Sequence, residues 1–281
     1  KTVSAAIVFI FLIPYAASVY NGLSNLFNMV FDLGEYGATY IIIAMAILSA
    51  VYVTLGGYKA TSLNDFVQGI IMLIGIATVV VLTVQKKNGI SAAVDALNLI
   101  PDDKGNTGTL GSIFGPDPFN LLGVVILTSL GTWGLPQMVQ KFYAIKSEND
   151  IKKGAIISTF FAFIVAGGSY FLGGFGRLYS GQIEMSAAGT PIYDSIIPTM
   201  LSTLPDLLVG LVIVLVLSAS MSTLSSLVLT SSSTLTLDLL KDNVVKNMDE
   251  KRQLAWMRGL LVAFVAISAI IALVQYNSSI T

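Results

Sequence analysis

Hydrophobic residues run through this chain in long blocks rather than on one face of a short helix or in strand-like alternation. Seven blocks, 3–31, 38–55, 66–84, 119–140, 154–176, 206–238 and 254–275, are long enough to cross a bilayer as helices, which takes about 20 residues for roughly 30 Å of hydrocarbon. The first and sixth exceed that need, so tilt or continuation into water is expected. The pattern predicts an all-α, polytopic membrane protein whose residues 1–281 form a single transmembrane domain. The first block is too long for a secretory signal and lacks a small-residue cleavage site. Because the chain opens at Lys1, already beside a span, we expect a piece of a longer protein with spans missing on at least one side.

Composition agrees with the pattern. Of the 281 residues 54% are hydrophobic and 11% charged, with a mean hydropathy of +0.80, whereas soluble domains carry about 25% charge. Histidine and cysteine are absent, which excludes zinc sites of the Cys/His type, disulfides, thiol chemistry and histidine-based triads. A formal charge of −1 without a basic tract offers nucleic acid nothing to hold.

With seven alternating spans, eleven basic residues fall on one side: Lys1, Lys59, Lys141, Lys146, Lys152, Lys153, Lys241, Lys246, Lys251, Arg252 and Arg258. Lys86, Lys87, Lys104 and Arg177 fall on the other. The positive-inside rule puts the eleven, with segments 141–153 and 239–253, in the cytoplasm, and we expect a plasma-membrane location. Gly57–Ser62 is expected to be a tight cytoplasmic turn. Residues 85–118 read as an external loop with one short surface helix, and residues 177–205 as a second external segment with a short helix over Ile196–Leu204.

Polar groups in hydrocarbon are costly, so their positions carry the functional information. In the sixth block Ala219, Ser222, Thr223 and Ser226 share one helical stripe, flanked by Ser225. Such oxygens suit a small hard cation such as Na⁺; they equally suit close helix packing, with hydroxyls bonded to their own helix. Asp65 is the one carboxylate placed near a span interior. It completes a Ser62-x-x-Asp65 pattern that reads either as a capping box or as a countercharge for a cation. In the fourth block Gly131, Gly134 and Pro136 predict a broken helix beside Trp133, either a kink or the discontinuous helix on which transporters bind substrate.

These segments together resemble the sodium/solute symporter family, which includes sodium/proline, sodium/sialic acid and sodium/galactose cotransporters. Gly56-Gly57-x-x-Ala60 with Asp65-x-x-Gln68 resembles the turn between the family's fourth and fifth core helices. Pro136-x-x-x-x-Lys141-Phe142-x-Ala144-x-Lys146-Ser147 is similar to the end of the sixth, and Met221-Ser222-Thr223-Leu224-Ser225 with Asp238-Leu239-Leu240-Lys241 to the eighth. The resemblance covers essentially the whole chain. It implies a LeuT-type inverted-repeat bundle carrying core helices 3–9, with helices 1, 2 and 10 missing.

The resemblance further implies a sodium site at Ala219 (through its carbonyl), Ser222 and Thr223, with a possible second sodium at Asp65, Ser222, Ser225 and Ser226. Trp133, Thr132, Ser129 and Tyr15 fall on positions that line the substrate. Asn64 stands where a threonine is common, and Gln137 and Lys141 replace the His and Arg of proline-type members, which points away from proline itself. The expected function is Na⁺-coupled import of a small solute (amino acid, carboxylate or sugar-like) by alternating access, with lipid the other partner. A passive channel or a structural membrane subunit is the alternative. An intramembrane enzyme is disfavoured, since the usual groups are absent.

Overall fold

The computed structural model describes residues 1–102, 104–182, 195, 196, 199, 200, 205–245 and 248–280. The described residues are helical throughout, joined by turns. In order they form α1 (Thr2–Phe31), α2 (Gly37–Lys86), α3 (Ile90–Asn98), α4 (Pro118–Leu130), a 3-10 turn (Gly131–Gly134), α5 (Pro136–Phe142), α6 (Glu148–Gly176), a second 3-10 stretch (Arg177–Gln182), α7 (Asp206–Thr234), a π-helical run (Leu235–Val244) and α8 (Glu250–Ile280). The short helix expected over Ile196–Leu204 falls mostly outside the described residues, and Lys246 lies outside them.

Five helices, α1, α2, α6, α7 and α8, are long and apolar enough to cross a membrane. α4 with its 3-10 turn and α5 make a sixth candidate, bent by 52°. α2 holds two of the expected blocks. Its 50 residues would run roughly 75 Å if straight, more than twice the hydrocarbon thickness. It is interrupted at Gly57, whose φ of 58° and ψ of −165° lie in a region essentially reserved for glycine. The expected turn over Gly57–Ser62 is therefore one residue wide. Tyr58 onward is helical again, with the Thr61 hydroxyl donating to the carbonyls of Gly57 at 3.0 Å and Tyr58 at 2.9 Å.

The chain divides into two compact units, Lys1–Ile71 with Ile213–Thr281, and Met72–Val212. In the first, α1 packs against α8 and the π-helical run. Its apolar core includes Leu12 and Tyr20 of α1, Ile42 of α2, Leu224 and Leu227 of α7 and Phe264 of α8. Phe9 meets Phe264 edge-on at 5.6 Å.

In the second unit the short surface helix α3 buries Ala93 and Leu97 against Phe175 at the end of α6. Gly168 lets α6 approach the second arm of α2, since a Cβ there would lie 2.9 Å from Ile76 Cγ1. The loop after α3 closes around Asp102. Its Oδ1 accepts the backbone N–H of Lys104 at 2.9 Å and of Asn106 at 2.8 Å, and its Oδ2 accepts the Thr109 hydroxyl at 3.1 Å. Led by the Asn106 N–H, these donors hold the Asp102 carboxyl below the ordinary aspartate range.

Candidate functional site

α7 builds the candidate cation site from residues that a helix interior usually spends on packing. Ser225 is fully buried, and Thr230, Ser231, Ser232 and Thr236 farther along are buried as well. Several of these hydroxyls bond their own helix: Ser232 to the Val228 carbonyl at 2.8 Å, Thr236 to Ser232 at 2.8 Å, and Thr223 to Ala219 at 2.9 Å. This is the packing role that the stripe allows. The run ends in the π-helical segment, a geometry frequent at functional sites.

One turn behaves differently. The Ser225 hydroxyl lies 3.0 Å from the Ser222 carbonyl and 3.4 Å from Asp65 Oδ1. The last pair joins residues 160 positions apart in sequence. Asp65 is half-buried, as are Ala219, Ser222, Thr223 and Ser226. Helical from Tyr58, the second arm of α2 carries Ser62 and Asp65 in its body rather than at its start. The capping-box reading of Asp65 therefore fails: no frayed N–H group is left there to cap.

Tyr52, on the first arm of α2, was not singled out from the sequence. Its hydroxyl donates to the Met221 carbonyl at 3.0 Å, 169 residues away. A phenol inside an apolar run was the only signal available.

The second unit holds the break in the fourth apolar block. Leu135 is extended (φ −66°, ψ 124°), as the residue before a proline must be to avoid the ring. Thr132 and Trp133, on the 3-10 turn, line an open recess of about 420 Å³ with Met138 and Phe142 of α5. Trp133 is 75% exposed there, and its apolar neighbours along α4 are exposed as well. Ser129 does not line the recess; its carbonyl accepts the Thr132 hydroxyl at 3.0 Å. Gln137 is buried, its Oε1 without a hydrogen-bond partner. Tyr15 lies on α1 in the first unit, 41% exposed.

The donor set is one of neutral oxygens plus one carboxylate. No group of three or more acidic residues suited to a multivalent metal occurs among the described residues. Such a set matches a monovalent hard cation better than Ca²⁺ or Mg²⁺, which draw on several carboxylates or bound waters.

The sequence pattern of the sodium:solute symporter family matches residues 1–281. The sodium/pantothenate symporter of Haemophilus influenzae is 28% identical over 206 residues, covering 72% of this chain and 40% of that protein. The osmoregulated proline transporter OpuE of Bacillus subtilis is 26% identical, covering 100% and 54%. The high-affinity proline transporter PutP of the same organism is 27% identical, covering 99% and 56%. The chain thus spans about half the length of these relatives or less. Among solved structures, a substrate-bound, outward-open Na⁺-coupled sialic acid symporter superposes with a TM-score of 0.72 at 17% identity, covering 98% of this chain and 58% of that one. The fold is therefore the all-α LeuT type that the motifs implied. With its apolar helices, the chain is a multi-pass membrane segment.

Proposed function

We propose, from the premise that the chain belongs to the sodium:solute symporter family, that the protein carrying it imports a small organic solute with Na⁺ by alternating access. The observation that carries this reading is the approach of Ser225 to Asp65 at 3.4 Å, beside the Ser222 carbonyl. It brings a carboxylate to the turn of α7 that carries Ser222 and Ser225.

In this reading Ala219 (carbonyl), Ser222 and Thr223 hold one sodium, and Asp65, Ser222, Ser225 and Ser226 a second. The 2.9 Å between Thr223 Oγ1 and the Ala219 carbonyl supports the first. With oxygens about 2.4 Å from a cation of this size, two ligands so spaced subtend roughly 75° at the ion, a normal angle between neighbouring ligands. The Thr223 proton points at Ala219, so the lone pairs of Thr223 Oγ1 remain for the cation.

Trp133 and Thr132 at the broken helix would take the solute, with Ser129 holding the Thr132 hydroxyl in place; Tyr15 of α1 is kept as a substrate-lining residue on the family resemblance alone. Proline and pantothenate symporters among the relatives support a small amino acid or carboxylate, or a sugar-like acid. Segments 141–153 and 239–253 face the cytoplasm in this reading, and the membrane is the plasma membrane.

An inward potential supplies about 2.3 kcal/mol per charge per 100 mV, and a tenfold Na⁺ gradient adds roughly 1.4 kcal/mol. One Na⁺ could therefore sustain a solute gradient of several hundredfold. The test is uptake by the full-length protein in vesicles. Concentrative, saturable uptake that disappears when choline replaces Na⁺ is expected. Uptake indifferent to the replacement refutes the coupling, and a current that follows only the electrochemical gradient points to a channel.

A further inference from the structure

We infer that Tyr52 is a positioning residue of the Asp65 cation site, tying the Met221–Ser225 turn of α7 to the first arm of α2. The inference rests on the reading of Asp65 and Ser225 as cation-binding groups.

Three helical segments of the first compact unit meet here. The first arm of α2 brings Tyr52, the second arm brings Asp65, and α7 brings Met221, Ser222 and Ser225. The Tyr52 phenol has one proton, and the Met221 carbonyl takes it at 3.0 Å. Its oxygen therefore presents only lone pairs to its other neighbours. Those neighbours are the side chains of Ser225 and Asp65, both close enough to act on the phenol.

Ser225 also has a single proton, with the Ser222 carbonyl at 3.0 Å and Asp65 Oδ1 at 3.4 Å competing for it. A serine that ligates a cation must turn its lone pairs to the ion and its proton away from it. The Ser222 carbonyl is the acceptor that lets Ser225 do so without losing its hydrogen bond. The bond from Tyr52 to Met221, four residues before Ser225 and so one turn away, fixes that turn against α2.

A phenylalanine fills the same space and keeps the ring contacts, so the fold is preserved while the hydroxyl alone is lost. The α7 turn then loses its hydrogen bond to the first arm of α2, and apolar contacts with that arm are left to hold the placement of Ser222 and Ser225 opposite Asp65.

The test is a Na⁺ titration of the thermal midpoint of the purified full-length protein, at constant ionic strength with choline. Tyr52→Phe, Asp65→Asn and the double variant are compared with the unmodified protein. Tyr52→Phe is expected to raise the half-stabilising Na⁺ concentration about three- to tenfold, the size of one hydrogen bond, with little change in choline alone. The double variant is expected to titrate as Asp65→Asn does, because the two substitutions act on one site.

If Tyr52→Phe lowers the midpoint equally in Na⁺ and choline and leaves the titration unmoved, its role is structural and the inference is overturned. If Asp65→Asn shifts the titration and Tyr52→Phe does not, the inference fails while the cation site stands. If Asp65→Asn itself leaves the titration unmoved, the reading beneath both fails.

Discussion

Thr223→Val separates the two roles that the serine- and threonine-rich stripe of α7 can play. The Thr223 hydroxyl donates to the Ala219 carbonyl at 2.9 Å, and that carbonyl also accepts the Thr223 backbone N–H as part of the helix. Valine keeps the branched shape and removes the hydroxyl. No carbonyl is left unpartnered, and threonine and valine have nearly equal helix propensity. The folding cost is therefore at most about 1 kcal/mol.

A cation held between Thr223 and Ala219 loses an oxygen ligand outright. Interactions of polar groups with a full charge are worth about 1.5–3 kcal/mol, so about 2 kcal/mol corresponds to roughly 30-fold in Na⁺ affinity. Na⁺-dependent thermal stabilisation and Na⁺-dependent uptake by the full-length protein, read side by side, distinguish the outcomes. Thr223→Val should retain a near-normal midpoint without Na⁺, need about 30-fold more Na⁺ for half-maximal effect, and recover in Thr223→Ser. A normal Na⁺ response in Thr223→Val would show that the hydroxyl serves packing alone.

Three further substitutions test the frame around the site. Gly57→Ala places a Cβ on a backbone at φ 58° and ψ −165°, a strain of about 1–3 kcal/mol; a lowered thermal midpoint is expected, and an unchanged one would mean that the break in α2 relaxes freely. Gly168→Val drives methyl groups into Ile76, already 2.9 Å from an added Cβ, and should destabilise by about 1–3 kcal/mol, whereas full stability would show that α6 and α2 part at no cost. The depressed Asp102 carboxyl contributes stability that is complete above the ordinary aspartate value of 3.8 and is lost as pH falls through its lower folded value. Amide protection factors over residues 102–109, with the intrinsic pH dependence of exchange divided out, should fall only below that range, and Asp102→Asn should remove that fall; protection already lost near neutrality would contradict the assignment.

The long apolar blocks were legible because a bilayer demands them, and helices α1, α2, α6, α7 and α8 follow those blocks. The break at Gly131–Pro136 was legible for a local reason, since proline constrains the residue before it. The turn within α2 was legible in its place but not in its width. Only Gly57 leaves the helix, and Ser62-x-x-Asp65 resembles a cap without being one.

The neighbours of Asp65 were legible only through the family resemblance. Spacing within α7 gives a stripe, but not which helix faces it. Tyr52 lay beyond reach for the same reason: its partner is 169 residues away, and neither residue carries a local pattern.

The central claim is that oxygens of α7, with Asp65, hold Na⁺. Direct ²²Na⁺ binding to the purified full-length protein tests it with least intermediate inference. Saturable binding that resists choline, weakens about 30-fold in Thr223→Val and weakens again in Asp65→Asn is the expected result. Binding of unchanged affinity and stoichiometry in both variants would contradict the account.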